Sequence, residues 1–236
     1  GDDRPLIAGG SYTTFGTTPD YWVVRDVRLT TEQNYGLCLG GYSTIERCKS
    51  TATGSYHNAM CIGQYSAIIG CDASGSGKYG AGIYVNTQYY ITIYQCYLHD
   101  CGAYGAYTVN CSHIGFAGCI VDTCVTTGIF LTAFHTNFYI ANNTIYGCKT
   151  GVSGSGVAQV INNLIATCTT GISWNSQNYA AYYDYNDIYD CTTDRKNVAA
   201  GAHDFDADPL FVNAANGDFS RTATVADGLG ITLGVG

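Results

Sequence analysis

CYLHDCGAYGA (96–106), CIVDTCVTTGI (119–129), NTIYGCKTGV (143–152) and NLIATCTTGI (163–172) are four versions of one phrase. Repetition on this scale decides an architecture before any local propensity does. The glycine that closes the phrase stands at Gly82, Gly105, Gly128 and Gly151, each 23 residues after the last, and at Gly171 after 20. Ala59 and Gly36 carry the register backwards. An apolar residue follows almost every time: Leu37, Met60, Ile83, Ala106, Ile129, Val152, Ile172. Two positions on stand Leu39, Ile62, Val85, Thr108, Leu131, Gly154 and Trp174. This alternation is that of a strand with one buried face.

A second column has the same period. Val27, Cys48, Cys71, Cys96, Cys119, Asn143, Asn163 and Asn186 are spaced 21, 23, 25, 23, 24, 20 and 23. Three residues before each lies an apolar or aromatic side chain, from Val24 and Ile45 to Val160 and Tyr183. Strand-forming units of 20–25 residues without an intervening helix predict a solenoid, one coil per unit. Coils stack at about 4.8 Å, so about eight of them make a rod roughly 35–40 Å long.

The phrase Asn142-Asn143-Thr144-Ile145 to Cys148 and Gly151-Val152 resembles the repeats of right-handed parallel β-helix proteins of the pectate-lyase-like superfamily. DADPLFVNAANGDF (206–219) resembles a C-terminal segment of secreted bacterial members, although the Pro-containing stretch that usually follows is replaced by TATVADGLGITLGVG (222–236). The resemblance covers roughly residues 20–220 and implies a single all-β, right-handed parallel β-helix. It implies no single activity, because the scaffold carries lyases, hydrolases, adhesins and phage fibres.

The expected organisation is an irregular N-terminal lead-in or cap at 1–20, coils over 21–191, and a C-terminal loop, short strand and tail over 192–236. Ser50–Tyr56 and Ala73–Tyr79, with Ser, Gly and Thr in apolar slots, are expected to bulge as loops. No amphipathic helix is available to cover either open end, so loops or another subunit must do so.

Charged residues make up 12% of the chain, against about 25% in an ordinary domain. The net charge of −8 argues against nucleic acid and anionic membranes. No apolar run is long enough to insert in a bilayer. Twelve cysteines are present. Cys48, Cys71, Cys96 and Cys119 share the inward slot of Val27, and Cys101, Cys124, Cys148, Cys168 and Cys191 form a second column. Both columns are expected to be mostly buried free thiols. Cys38 and Cys61 alternate with apolar neighbours, should face outward one coil apart, and are the disulfide candidates. A zinc site is not expected, since no tight Cys-x-x-Cys pair or His cluster accompanies them.

The outward residues of the glycine-led strands are Cys38, Cys61, Tyr84, Tyr107, Phe130, Ser153 and Ser173. Tyr84, Tyr107 and Phe130 should stack as an aromatic stripe, and Tyr42, Tyr65 and Tyr89 as a similar corner column. Either could be a self-stabilising ladder, a partner or self-assembly interface, or a sugar platform. For catalysis, His99 and Asp122 occupy equivalent slots on adjacent coils beside Asp100, and no basic residue occupies a matching position near them. The alternative is a polar corner of solvated carboxylates. Paired-Asp and Arg motifs of pectate lyases and polygalacturonases are absent. Asp204, Asp206 and Asp208 alternate and could bind calcium, or cap turns; no other cofactor is implied. Asn110 (NCS) and Asn142 (NNT) fit the glycosylation pattern.

The sequence therefore reads as a non-catalytic extracellular module (secreted, cell-surface or virion) that self-associates end to end or laterally through its ends and Tyr-rich faces. The alternative is a polysaccharide lyase or glycoside hydrolase.

Overall fold

In the computed structural model, the residues described are 6–9, 21–32, 35–132, 137–175 and 181–221, with 6–9 described as backbone only. Their strands form three parallel sheets wound as a β-solenoid. Sheet A has nine strands, including Arg28–Thr31, Tyr97–His99, Ile120–Asp122 and Asp187–Tyr189; sheets B and C have eight each. Each coil passes from sheet C to A to B. Tyr89–Tyr94, Tyr97–His99 and Tyr104–Val109 make one such coil. No helix among the described residues is long and apolar enough to cross a membrane.

The corner from sheet C to sheet A explains the inward column. Asp26, Arg47, Gly70, Gln95, Gly118, Asn142, Asn162 and Tyr185 each have φ between 50 and 63°. One left-handed residue redirects the chain, and the residue after it points inward: Val27, Cys48, Cys71, Cys96, Cys119, Asn143, Asn163 and Asn186. All of these except Val27, which is half-buried, are fully buried. At non-glycine corners the conformation costs about 1–2 kcal/mol, offset by the pairing it permits.

The glycine column has a different cause. A Cβ on Gly82, Gly105, Gly128, Gly151 or Gly171 would lie 2.6–2.8 Å from a carbonyl oxygen of the next coil. The core is the stacked apolar column predicted by the alternation, including Ile45, Ile68, Ile93, Phe116, Ile140 and Val160.

Four segments differ from expectation. Within the lead-in, Leu6–Gly9 is a strand that pairs parallel with Arg28–Thr31. The Ser50 and Ala73 regions are strands of sheet A, Lys49–Ala52 and Asp72–Gly75, and only the residues after them turn out as loops. Ser50 is tolerated inside because its hydroxyl donates to the Ala59 carbonyl at 2.6 Å. Beyond residue 191, Thr193–Lys196 adds one more strand to sheet B.

The chain then closes the C-terminal end of the rod. Val198 packs on the core. Asp204 receives the Asn186 backbone N–H at 2.7 Å and the Arg195 guanidinium at 2.9 Å, ending the inner asparagine column. Phe211–Asn213 and Asp218–Arg221 form an antiparallel hairpin. The expected tail over 222–236 and most of the expected cap over 1–20 lie outside the described residues.

Candidate functional site

On the outer face of sheet A, in-register pairing places Lys49, Asp72 and Tyr97 in one column and His99, Asp122 and Tyr146 in the next. His99 links them. Its Nε2 is 2.9 Å from Asp72 Oδ1 and its Nδ1 is 2.8 Å from Asp100 Oδ2. Lys49 Nζ donates to Asp72 Oδ2 at 2.7 Å. The Tyr97 ring stacks on His99 at 4.3 Å, and its hydroxyl donates to Asp122 Oδ2 at 3.3 Å. The nearest basic residue is in the neighbouring column and reaches His99 only across Asp72. Lys49 lies two coils earlier and acts through Asp72, and neither residue was singled out in the sequence.

The carboxylates of this cluster are set apart by their surroundings. Burial alone would raise the Asp72 carboxyl, but hydrogen bonds from His99 and Lys49 outweigh it and hold it below its ordinary value. Burial pushes Asp122 above its ordinary value; the Tyr97 hydroxyl opposes this and the Asp100 charge adds to it. The hydrogen bond to Asp72 raises His99 against its partial burial, with Asp100 adding. Burial and the facing Asp122 push the Tyr97 phenol up to about 12.

The C-terminal hairpin is folded back along this face. Phe211 and Phe219 meet the Tyr146 ring edge-on at 6.1 and 5.6 Å. Its tip reaches Tyr97: a Cβ on Gly217, whose φ is 77°, would stand 3.1 Å from the Tyr97 hydroxyl. Asp122, between Tyr97 and Tyr146, is 6% exposed, whereas Asp100 lies at the open edge.

A second feature runs along the start of sheet C. Tyr21, Tyr42, Tyr65 and Tyr90 stack in sequence with centroids 5.2, 4.9 and 5.1 Å apart, and His113 continues the stack at 4.5 Å. All five have positive φ and the four tyrosines are exposed. The predicted column contained Tyr89. The structure puts Tyr90 there, and Tyr89 meets Tyr65 edge-on at 5.2 Å. The cause is the longer coil between Tyr65 and the next strand, which pairs Ser66 with Ile91 and shifts the slot by one residue.

The model of the right-handed β-helix region matches residues 14–165. The chain belongs to this right-handed β-helix family. Among solved structures, the crystal structure of the Dettilon tailspike protein is similar, at 13% identity and a TM-score of 0.42. The match covers 86% of this chain and 62% of the tailspike chain, so this β-helix protein spans less than two thirds of that length. At such identity and score nothing about activity transfers. No curated protein matches the chain.

On the outer face of sheet B this β-helix protein aligns Cys38, Cys61, Tyr84, Tyr107, Phe130, Ser153 and Ser173. Cys38 and Cys61 are disulfide-bonded, with Cα atoms 4.5 Å apart, and the other ten cysteines are free. The Tyr107 and Phe130 rings stack at 5.6 Å, and Tyr104 joins them at 4.7 and 5.1 Å. These rings are half-buried against one another, so this stripe packs largely on itself. A groove of about 530 Å³ flanks it, lined by Tyr35, the disulfide, Gln64, Tyr84, Asn86 and Gln88.

Two of the three aspartates offered for calcium have other partners. Asp204 is taken up by Asn186, Arg195 and Gly201, and Asp208 caps a turn through the Leu210 N–H at 2.9 Å. Among the described residues no group of three or more His, Cys, Asp or Glu side chains could hold a metal ion. Asn110 and Asn142 are exposed corner residues, and Asn142 also accepts a hydrogen bond from Asn162.

Proposed function

We propose that this β-helix is a non-catalytic structural and adhesive module of an extracellular or virion surface, docking sideways through its tyrosine ridge. The observation that carries the reading is the run Tyr21–Tyr42–Tyr65–Tyr90, exposed and stacked at a left-handed corner. Glycine or asparagine would adopt that conformation at less cost. Four bulky aromatics held there form a continuous ridge of phenol edges and hydroxyls, suited to a partner surface. Closure of the C-terminal end by residues 197–205 favours lateral over end-to-end association at that end, and the charged edge strand Thr193–Lys196 acts in the same direction. The Cys38–Cys61 disulfide fits an oxidising location.

The test is electron microscopy over a concentration series, comparing the native chain with a Tyr42→Asn/Tyr65→Asn variant. Laterally ordered assemblies that the variant loses support self-docking. Dispersed monomers at every concentration overturn it.

A second reading, a polysaccharide-active enzyme, is favoured by one observation: the Lys49–Asp72–His99–Asp100 cluster beside the raised Asp122 acid. Two carboxyls pushed in opposite directions are the arrangement that acid–base chemistry uses. Cleavage of uronic-acid or neutral polymers that disappears in Asp122→Asn and His99→Gln would establish it, and no cleavage of either class would remove it.

A further inference from the structure

Two carboxyl groups on the outer face of sheet A are covered by the C-terminal segment, each with one buried oxygen that has no hydrogen-bond partner. Asp187 is 2% exposed. Its Oδ1 accepts the Ala207 N–H at 3.0 Å, and its Oδ2 has no partner. Asp122 is bonded through Oδ2 to the Tyr97 hydroxyl, and its Oδ1 has no partner.

The same segment lies against both. Phe205 pairs with Asp187 in the last coil, and its carbonyl accepts the Ile188 N–H at 3.1 Å. Further on, Phe211 and Phe219 seat on Tyr146, next to Asp122 in its column, and Gly217 reaches Tyr97. The charged groups facing Asp187 are Asp206, Asp208 and Arg221, all from the segment itself. Those facing Asp122 are His99 of sheet A and Asp100 at the bend after it, with the Tyr97 phenol.

We propose that residues 205–221 form a proton-controlled strap, docked on sheet A while Asp187 and Asp122 are protonated and released as they ionise. Release uncovers the Asp122–Tyr146 face beside Lys49, Asp72 and His99. An ionised carboxylate with one oxygen cut off from water and from any donor is costly, whereas the neutral acid is not. Undocking returns both oxygens to water. Asp206 and Asp208 sharpen the effect, because they bring two further negative charges to Asp187 when the strap is down.

Burial pushes the Asp187 acid up to about 6, opposed by the Ala207 N–H and by Arg221 and reinforced by Asp206 and Asp208. A carboxyl whose docked value is raised stabilises docking fully below its ordinary value of 3.8, and loses that contribution as pH rises through about 6. A shift of about two units corresponds to about a hundredfold in the docking equilibrium. The device operates equally on an adhesive or a catalytic rod, since it governs access to a face and not what the face does.

The test is amide hydrogen exchange on the full chain from about pH 4 to about pH 8, corrected for intrinsic exchange. Protection of Phe211–Asn213 and Asp218–Arg221 should fall on the order of a hundredfold across the range, while Thr150–Gly154 in the coil interior keeps its protection. Asp187→Asn retains the acceptor for Ala207 and cannot ionise, so its strap should lose most of the fall and keep only the part set by Asp122; Asp122→Asn should flatten the profile in part. A flat profile in the native chain overturns the proposal. So does an unchanged fall in Asp187→Asn, or loss of protection in Thr150–Gly154 together with the strap.

Discussion

Asn163 Oδ1 accepts two hydrogen bonds from Asn143, the backbone N–H at 3.1 Å and the side-chain amide at 3.0 Å. Asn163 in turn donates from its backbone and its amide to Asn186 Oδ1, and to the Ile140 carbonyl. The inward column is thus four thiols followed by a ladder of amides that ends on Asp204. In the ladder each carbonyl oxygen serves the coil before it. Asn163→Ala leaves the Asn143 backbone N–H and one of its amide hydrogens without an acceptor, while Asn186 Oδ1 keeps only the bond from the backbone N–H of residue 163. It should destabilise the chain by about 2–4 kcal/mol, read by urea unfolding. Asn163→Cys extends the thiol half of the column and should cost less than Asn163→Ala.

The Cys38–Cys61 bridge closes a loop of one coil, a sequence separation of 23. Cross-links over such loops contribute about 2–4 kcal/mol through the unfolded chain. Cys38→Ser/Cys61→Ser should lower the unfolding midpoint by that amount, and reductant should do the same to the native chain. The ten buried or half-buried thiols should react with a thiol reagent only after unfolding, apart from Cys191, which is half-buried at the closed end of the rod.

The His99 cluster gives a pH window for stability. Asp72 is held below its ordinary value of 3.8, so its contribution is present above that value and lost as pH falls through its lower folded one. His99 is raised above 6.5, so its contribution is present below 6.5 and lost as pH rises through the raised value. The pair stabilises most between those limits. Thermal unfolding of His99→Gln against the native chain should show the largest deficit at about pH 5 and a smaller one at about pH 8. A deficit that does not vary with pH would remove the charged pair from the account.

Gly128 and Gly115 should answer oppositely to alanine. A Cβ on Gly128 would lie 2.7 Å from the Gly151 carbonyl and 2.9 Å from the Ile145 side chain. Gly128→Ala must push two coils apart and should cost over about 2 kcal/mol. At Gly115 a Cβ meets nothing within 4 Å and φ is not positive. Gly115→Ala should be neutral or stabilise by about 0.4–1 kcal/mol by restricting the unfolded chain. Urea midpoints of the two variants check both signs.

Several features were legible because they repeat. The glycine column, the Cys-to-Asn column and the outward pairing of Cys38 with Cys61 each follow from one residue type returning at the coil period. Tyr90 was missed because the coil after Tyr65 is longer, and spacing counted from Tyr65 lands on Tyr89. Lys49 and Asp72 were missed because they belong to the column beside that of His99. Only the cross-column hydrogen bond at a sequence separation of 27 brings them together. Asp204 looked like one of three alternating carboxylates, but the turn at Gly201 aims it at Asn186 instead.

By itself the sequence determined the coil repeat and the occupancy of most slots. Alternation and the 20–25-residue period are local properties, and in-register stacking copies them from coil to coil. What lies across the sheets was decided only by tertiary structure: the Lys49–Asp72–His99 relay, the burial of Asp122 and the return of Phe211 and Phe219 onto Tyr146. These contacts join different columns, or a non-repeating tail to a distant coil. Their energy comes from desolvation and geometry at the meeting point, and no periodicity in the chain encodes either one.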